Sequence, residues 1–263
     1  MALTLFASVA SLALIVFREP VKRELRKHPL AYAIARGPWN SLNEARDILR
    51  TRKLKRQSGA LIDEYLGHHS VRKLQIGSGG NNLDGWLNTD IEPRPGQAYL
   101  DATRPFPIPD GTFGYITSEH VFEHLTYPEG RVMLAESYRI LRPGGRIRIA
   151  TPNLLRLVGL FQADKSDETK RYLARKIEAH GWPSDPNPEC FILNLQLSSF
   201  GHRFVYYPGT LRSSLAAVGF QSIGEFALGE SDDAELRGVE VRNKGATSEM
   251  NAFETMVLQA VRP

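Results

Sequence analysis

The amino-acid sequence predicts an α/β protein: a mostly parallel β-sheet with helices on both faces, a terminal antiparallel strand, and a helical extension ahead of it. Three observations carry this expectation. From residue 71 onward, short apolar runs ended by glycine or acidic residues alternate with amphipathic stretches. A glycine cluster follows the first of these runs, where a parallel sheet places its ligand. At 263 residues, 42% hydrophobic and 24% charged, the chain can bury one such core and still carry an appendage of about 50 to 70 residues.

The chain opens with MALTLFASVASLALIVF, residues 1–17, uncharged and interrupted only by Thr4, Ser8 and Ser11. A cleaved signal peptide carries positive charge before its apolar run and small residues at a cut site after it. Neither feature is present. A run of this length is at the lower limit for crossing a bilayer, and the basic residues after it would hold the following chain in the cytoplasm. A membrane anchor or membrane-surface helix is the first reading; an apolar helix packed on the domain and a signal peptide are the alternatives.

Residues 18–70 read as a basic helical arm. Between Arg18 and Arg56 basic residues outnumber acidic ones by eight, so the net charge of +4 leaves the remainder mildly acidic. Nucleic-acid phosphates rank below anionic lipid headgroups as partners for this arm, because the only aromatics between Arg18 and Arg56, Tyr32 and Trp39, sit around the breaker RGPW and offer no stacking platform. A plain solvated helix face explains the charges equally well. The single cysteine, Cys190, excludes an internal disulfide and a thiolate zinc cluster and favours a reducing compartment.

The elements then follow in order. RKLQIG is a short buried strand, GWLNTDI a second and QAYLDA a third; FGYITSEH and GGRIRIATPN are the fourth and fifth. Between the last two, YPEGRVMLAESYRILRPGG reads as a helix opened by Pro128 and stopped at Pro143-Gly144-Gly145. Residues 154–200 exceed the length of a simple connection and contain two helices and a proline-rich loop, an insertion suited to an acceptor lid. Within it, Trp182 and Phe191 either stack on an acceptor or pack the lid onto the domain. YPGTLRSSLAAVGF is a helix closing at Gly219, and SIGEFAL and FETMVLQAV form a terminal antiparallel pair.

The stretch KLQIGSGGNNLDGWLNTDIEP decides what kind of ligand the sheet holds. Gly77, Gly79 and Gly80 let backbone approach a ligand closely, and Asp90 is placed to accept from ribose hydroxyls. A dinucleotide site needs GxGxxG opening a full helix and an acidic residue about 20 positions on. Here Asn82 occupies the third glycine position and Asp90 follows too soon for a crossover helix. The connection is a loop or single turn with little helix dipole for a pyrophosphate, which favours a nucleoside without phosphates.

With YLDATRPFPIPDGTFGYITSEHVFEHL and ILRPGGRIRIATPN, this stretch resembles the class I S-adenosylmethionine-dependent methyltransferases, particularly a small bacterial type-11-like group with a GSGG-like loop and an EHVFEH segment. The resemblance covers about residues 71–153, and more loosely GHRFVYYPGTLRSSLAAVGF and the final strand. It implies a Rossmann-like methyltransferase domain over 71–263 with S-adenosylmethionine as cofactor. Gly77, Ser78 and Gly79 would pass beneath its methionine portion, Asp90 would bind the ribose diol and Ile91 would line the adenine. Asp101 and Ala102 would receive the adenine ring, while Ser118, Glu119 and His120 would face the methyl-donating end. The missing helix after the glycine loop is the departure from the family pattern.

Methyl transfer from a sulfonium needs in-line positioning and exclusion of water, and a hydroxyl acceptor needs a base as well. Glu119, His120 and His202 are the catalytic candidates, with His124 on the same face as His120 if the segment is helical. That spacing can hold zinc given a third ligand, but the protease pattern requires glutamate directly after the first histidine and Val121 stands there; no metal is expected. The expected acceptor is a small molecule, or a saccharide or lipid-linked intermediate reached at a membrane surface through residues 1–57. A non-catalytic S-adenosylmethionine-binding or scaffold protein and an NAD-dependent oxidoreductase are the rival readings.

Overall fold

The computed structural model describes residues 29–181, 187–240 and 248–263. The apolar segment 1–17 and Trp182 lie outside the described residues. The chain divides into two compact units between Gln57 and Ser58. In the first, the described residues form the start of α1 (Pro29–His68), on which Arg50, Arg52, Lys53, Lys55 and Arg56 are exposed. No helix among the described residues is long and apolar enough to cross a membrane.

The second unit, Ser58–Pro263, is built on seven strands: β1 (Lys73–Ile76), β2 (Leu87–Asp90), β3 (Ala98–Tyr99), β4 (Phe113–Glu119), β5 (Leu141–Pro152), β6 (Gln221–Phe226) and β7 (Thr255–Val261). Their spatial order is β3-β2-β1-β4-β5-β7-β6. The pairings from β3 through β5 are all parallel, and β7 runs against both β5 and β6. Strand order reverses between β1 and β4, so the crevice at their carboxyl ends is the topological switch point where open α/β sheets bind ligands.

Apolar alternation sets the strands. Leu74 and Ile76 on β1, Ile116 on β4, Ile147 and Ile149 on β5 and Leu258 on β7 are essentially inaccessible and share one core, as expected of strands covered on both faces. The helix α2 (Tyr127–Ile140) starts at a capping box in which Thr126 and Glu129 satisfy each other's backbone amides. It ends at Ile140, earlier than Pro143, because Leu141 already pairs with Phe113 as the first residue of β5.

Among its described residues the insertion holds three helices where two were expected: α3 (Leu154–Gly159), α4 (Asp167–His180) and α5 (Pro188–Ser198). The Asn153 side chain accepts from the amides of Leu155 and Arg156 and nucleates the extra one. Leu157, Leu160, Tyr172, Leu173, Ile192, Val205 and Phe253 give this region its own apolar core. Phe253 was expected in the final strand. It instead belongs to α7 (Ser248–Glu254) and stacks on Tyr172 at 4.2 Å between ring centroids, and the strand begins two residues later at Thr255. The helix α6 (Pro208–Val218) closes at Gly219, whose φ of 113° lies in the left-handed region.

Candidate active site

The β1–β2 connection contains turns and no helix, and side chains hold it in place of a helical ladder. The amides of Gly77 and Ser78 both donate to Thr89 O, at 2.8 and 2.9 Å. Asn88 Oδ1 accepts from the Leu83 amide at 2.9 Å, and Gln97 Nε2 donates to Gly79 O at 2.9 Å and to Asn82 Oδ1 at 2.7 Å. Gly77 has φ 71°, and a Cβ there would lie 2.2 Å from Val121 Cγ2. No other residue fits that turn without displacing Val121.

Asp90, at the end of β2, accepts from the Gly79 amide through Oδ2 and from the Glu92 amide through Oδ1, each at 2.8 Å. It clamps the glycine loop to the strand end. Asp101 Oδ1 accepts from the Thr103 amide at 2.9 Å and its hydroxyl at 2.7 Å, which fixes the turn after β3. These turns and the end of β4 enclose a cavity of about 540 Å³, within the usual range for a small-molecule site.

Of the residues expected at the cofactor, Gly77, Ser78, Gly79, Asp90, Ile91, Asp101, Ala102, Glu119 and His120 all line this cavity. The position of Gly79 fits a closely approaching ligand, since a Cβ there would meet nothing within 4 Å. Ser78 lines the wall with its hydroxyl donating to Thr89 O at 3.2 Å. Ile91 is 56% exposed at the mouth. Ser118 is not a lining residue: it is wholly buried in β4, one pleat behind Glu119. Arg94, Thr103, Val121 and Arg203 also line the cavity and were not anticipated. Arg94 comes from the loop after β2, where no residue spacing marks it.

His120 leaves β4 with φ 52°, a left-handed conformation uncommon for a residue with a side chain. The surroundings hold it there. Its amide donates to Ala150 O at 2.9 Å, its Nδ1 donates to Glu123 Oε1 at 2.8 Å, and its Nε2 lies 2.9 Å from Asn251 Oδ1. Glu123, overlooked in the sequence, is fully buried and also accepts from Thr151 Oγ1 at 3.1 Å. Burial opposes its charge, yet the hydrogen bond and charge of His120 outweigh burial and hold the carboxyl below its ordinary range.

His202 does not line the first cavity. It faces a second one of about 480 Å³, together with His120, Glu123, His124, Lys176, Gln196 and Glu254. The two cavities share His120 and His124. The insertion supplies one wall of the second: Glu254 accepts from Lys176 Nζ at 2.8 Å, Gln196 Nε2 at 3.0 Å and Tyr172 Oη at 2.7 Å. Phe191 is 42% exposed and lines neither cavity.

Residues 90–149 match the family model described as a methyltransferase domain. No curated protein matches the chain. Solved structures with a similar fold include an S-adenosylmethionine-dependent methyltransferase from Mesorhizobium loti, with 14% identity, 73% of this chain and 91% of that one covered, and a TM-score of 0.44. Another, from Archaeoglobus fulgidus, has 16% identity over 79% of this chain and 94% of that one, with a TM-score of 0.43. Phosphoethanolamine N-methyltransferase 2 of Haemonchus contortus, solved with S-adenosylhomocysteine, has 13% identity over 79% of this chain and 52% of that one, with a TM-score of 0.38. Overlaps this low add no weight of their own; the family match runs from Asp90 into β5 and includes the ends of β2, β3 and β4 at the first cavity. Over residues 90–149 the chain is therefore similar to a methyltransferase domain.

Proposed function

We propose that the first cavity seats S-adenosylmethionine and that the chain moves its methyl group to an acceptor admitted beneath the lid. The observation that carries this is the meeting of Asp90, Asp101 and the Gly77–Gly80 turn around one cavity of about 540 Å³. When bound, the cofactor supplies an activated methyl on a sulfonium. Asp90 accepts from the ribose hydroxyls while its own hydrogen bonds hold the loop. Ile91, Asp101 and Ala102 surround the adenine, and Gly77, Ser78 and Gly79 run beneath the methionine portion. Glu119 and His120 stand at the methyl-donating end.

Both ring nitrogens of His120 are engaged by Glu123 and Asn251, which favours a role in fixing the wall over one in accepting a proton. His202, in the adjoining cavity, is the better placed of the two to meet an acceptor. That acceptor is a small molecule, or a saccharide or lipid-linked intermediate, and α3 to α5 choose it. Residues 1–57 bring the domain to the cytoplasmic face of a membrane. Deleting residues 1–17 should release the chain from vesicles containing anionic lipid; unchanged vesicle binding would reject that attachment.

The cofactor assignment is tested by calorimetric titration of S-adenosylmethionine and S-adenosylhomocysteine into wild type and Asp90→Ala, with NAD as control. Wild type should bind both nucleosides and not NAD, and the substitution should weaken binding about 10- to 100-fold, the worth of one or two charge-assisted hydrogen bonds. Absence of binding to folded wild type would remove the reading. Turnover to S-adenosylhomocysteine with a supplied acceptor separates an enzyme from a binding protein on the same fold.

A further inference from the structure

We propose that Glu123, His124 and His202 hold one divalent transition-metal ion, of the zinc class, where the second cavity meets the first. One ligand atom from each of these residues lies within 4.8 Å of the other two. Ligands of a tetrahedral zinc ion sit ~3.4 Å apart, given metal–ligand distances of about 2.0 to 2.2 Å, so side-chain torsions close the remaining gap. Two imidazoles and one carboxylate form a donor set that suits zinc and its neighbours better than magnesium or calcium. Three protein ligands leave a coordination position for a molecule in the cavity, as catalytic zinc sites do.

The supporting groups point the same way. His202 Nδ1 donates to Gln196 O at 2.6 Å, and an acceptor that is a carbonyl can be met only by an N–H; this fixes the tautomer and leaves the lone pair of a neutral ring on Nε2. The Glu123 carboxylate is oriented from both sides, by His120 Nδ1 on Oε1 and by Thr151 Oγ1 on Oε2, each oxygen retaining acceptor capacity. Backbone brings the ligands together without help from the ligating atoms: the amides of Arg203 and Phe204 both donate to Glu123 O, at 2.8 and 3.1 Å. The segment carrying His202 is thereby strapped to the turn carrying Glu123 and His124. The rings of His124 and His202 meet edge to face with centroids 5.0 Å apart. Lys176, which lines the same cavity, is paired with Glu254 at 2.8 Å.

The test uses the full chain carrying Cys190→Ser, because that thiol is exposed and could bind zinc by itself. After stripping with a chelator, the protein is titrated calorimetrically with zinc and, separately, with magnesium, and its metal content is measured after dialysis. One zinc per chain is expected, with magnesium at least 100-fold weaker. His124→Ala and His202→Ala should each weaken zinc by at least about 100-fold, beyond the loss typical of outer ligand partners, whereas His180→Ala, on the exposed end of α4, should leave it unchanged. Zinc should also raise the melting temperature of the parent and not that of the two variants. His124→Gln and His202→Gln replace the alanine variants if those fail to fold. Absence of saturable zinc binding, or zinc retained undiminished after substitution of His124 and His202, would overturn the proposal. S-adenosylmethionine titration of the same samples reads the first cavity separately, so loss of one assignment does not decide the other.

Discussion

The two neighbouring cavities are assembled in opposite ways. All but one of the residues lining the first fall between Gln75 and Leu125, the exception being Arg203. The second draws on the turn after β4, on α4, on the end of α5 and its following loop, and on α7. The first is made by strand ends and backbone turns, so its shape follows from local chain geometry. The second exists only where distant segments meet, through contacts such as that between His120 and Asn251, 131 residues apart. Local construction makes a site legible in sequence and tolerant of change elsewhere; assembled construction makes it sensitive to any of several joints.

The largest expected effect is at the joint common to both. Glu123→Ala would leave His120 and Thr151 without their carboxylate in a fully buried place, and breaking such a pair costs about 3 to 5 kcal/mol. Chemical denaturation should register that loss, and an effect under 1 kcal/mol would mean that Glu123 joins nothing. Gly77→Ala tests the first cavity alone. The added Cβ lies 2.2 Å from Val121 Cγ2 at a positive φ, a combination of overpacking and backbone strain of about 2 to 4 kcal/mol. S-adenosylmethionine affinity should fall at least 30-fold with zinc binding retained.

A smaller effect, dependent on pH, is expected where the chain after Asp101 meets α2. Glu136 Oε2 accepts from the Phe106 amide at 2.6 Å, and Arg139 donates to Ile108 O at 2.8 Å, pinning the chain beyond Asp101 onto α2. The Arg139 hydrogen bond, against partial burial and aided by the Phe106 amide, lowers the Glu136 pKa from its ordinary value. A depressed carboxylate stabilises fully above its unfolded pKa, near ~4.3, and that contribution is lost as pH falls through the lower folded value. Glu136→Gln should therefore cost about 1.5 to 3 kcal/mol at neutral pH and converge with wild type in acid. A difference constant down to pH 3 would reject the pair. The smallest effect belongs to the insertion: Tyr172→Phe removes one of three donors to Glu254, about 1 kcal/mol, with S-adenosylmethionine affinity unchanged.

Several particular residues trace the limit of what the sequence tells. Gly77, Asp90 and Asp101 were legible because each closes an apolar run, and a strand end in a parallel sheet has one direction in which to face a ligand. Ser118 was misjudged by a single pleat: the run reveals where β4 ends but not which face each of its last residues takes. The helix at Leu154 had its signal in Asn153, a capping residue just before an apolar run. His202 was visible only as one histidine in FGHRFVYY, and its distance from the first cavity follows from the strap to Glu123 O, a backbone contact that leaves no mark on residue type. Glu123 itself reads as an ordinary polar helix residue until His120 and Thr151 are seen on either side of it.

The position of β7 carries a consequence for how the molecule is made. This strand is the last in chain order, yet it lies between β5 and β6 and pairs with both. During synthesis the amino-terminal part of the sheet can form first, but β5 and β6 then each present an unpaired edge until residues 255–261 arrive. Such edges are templates for pairing with other chains. The nascent protein thus passes through an interval in which its glycine loop can already be in place while the middle of its sheet is open to pairing with other chains.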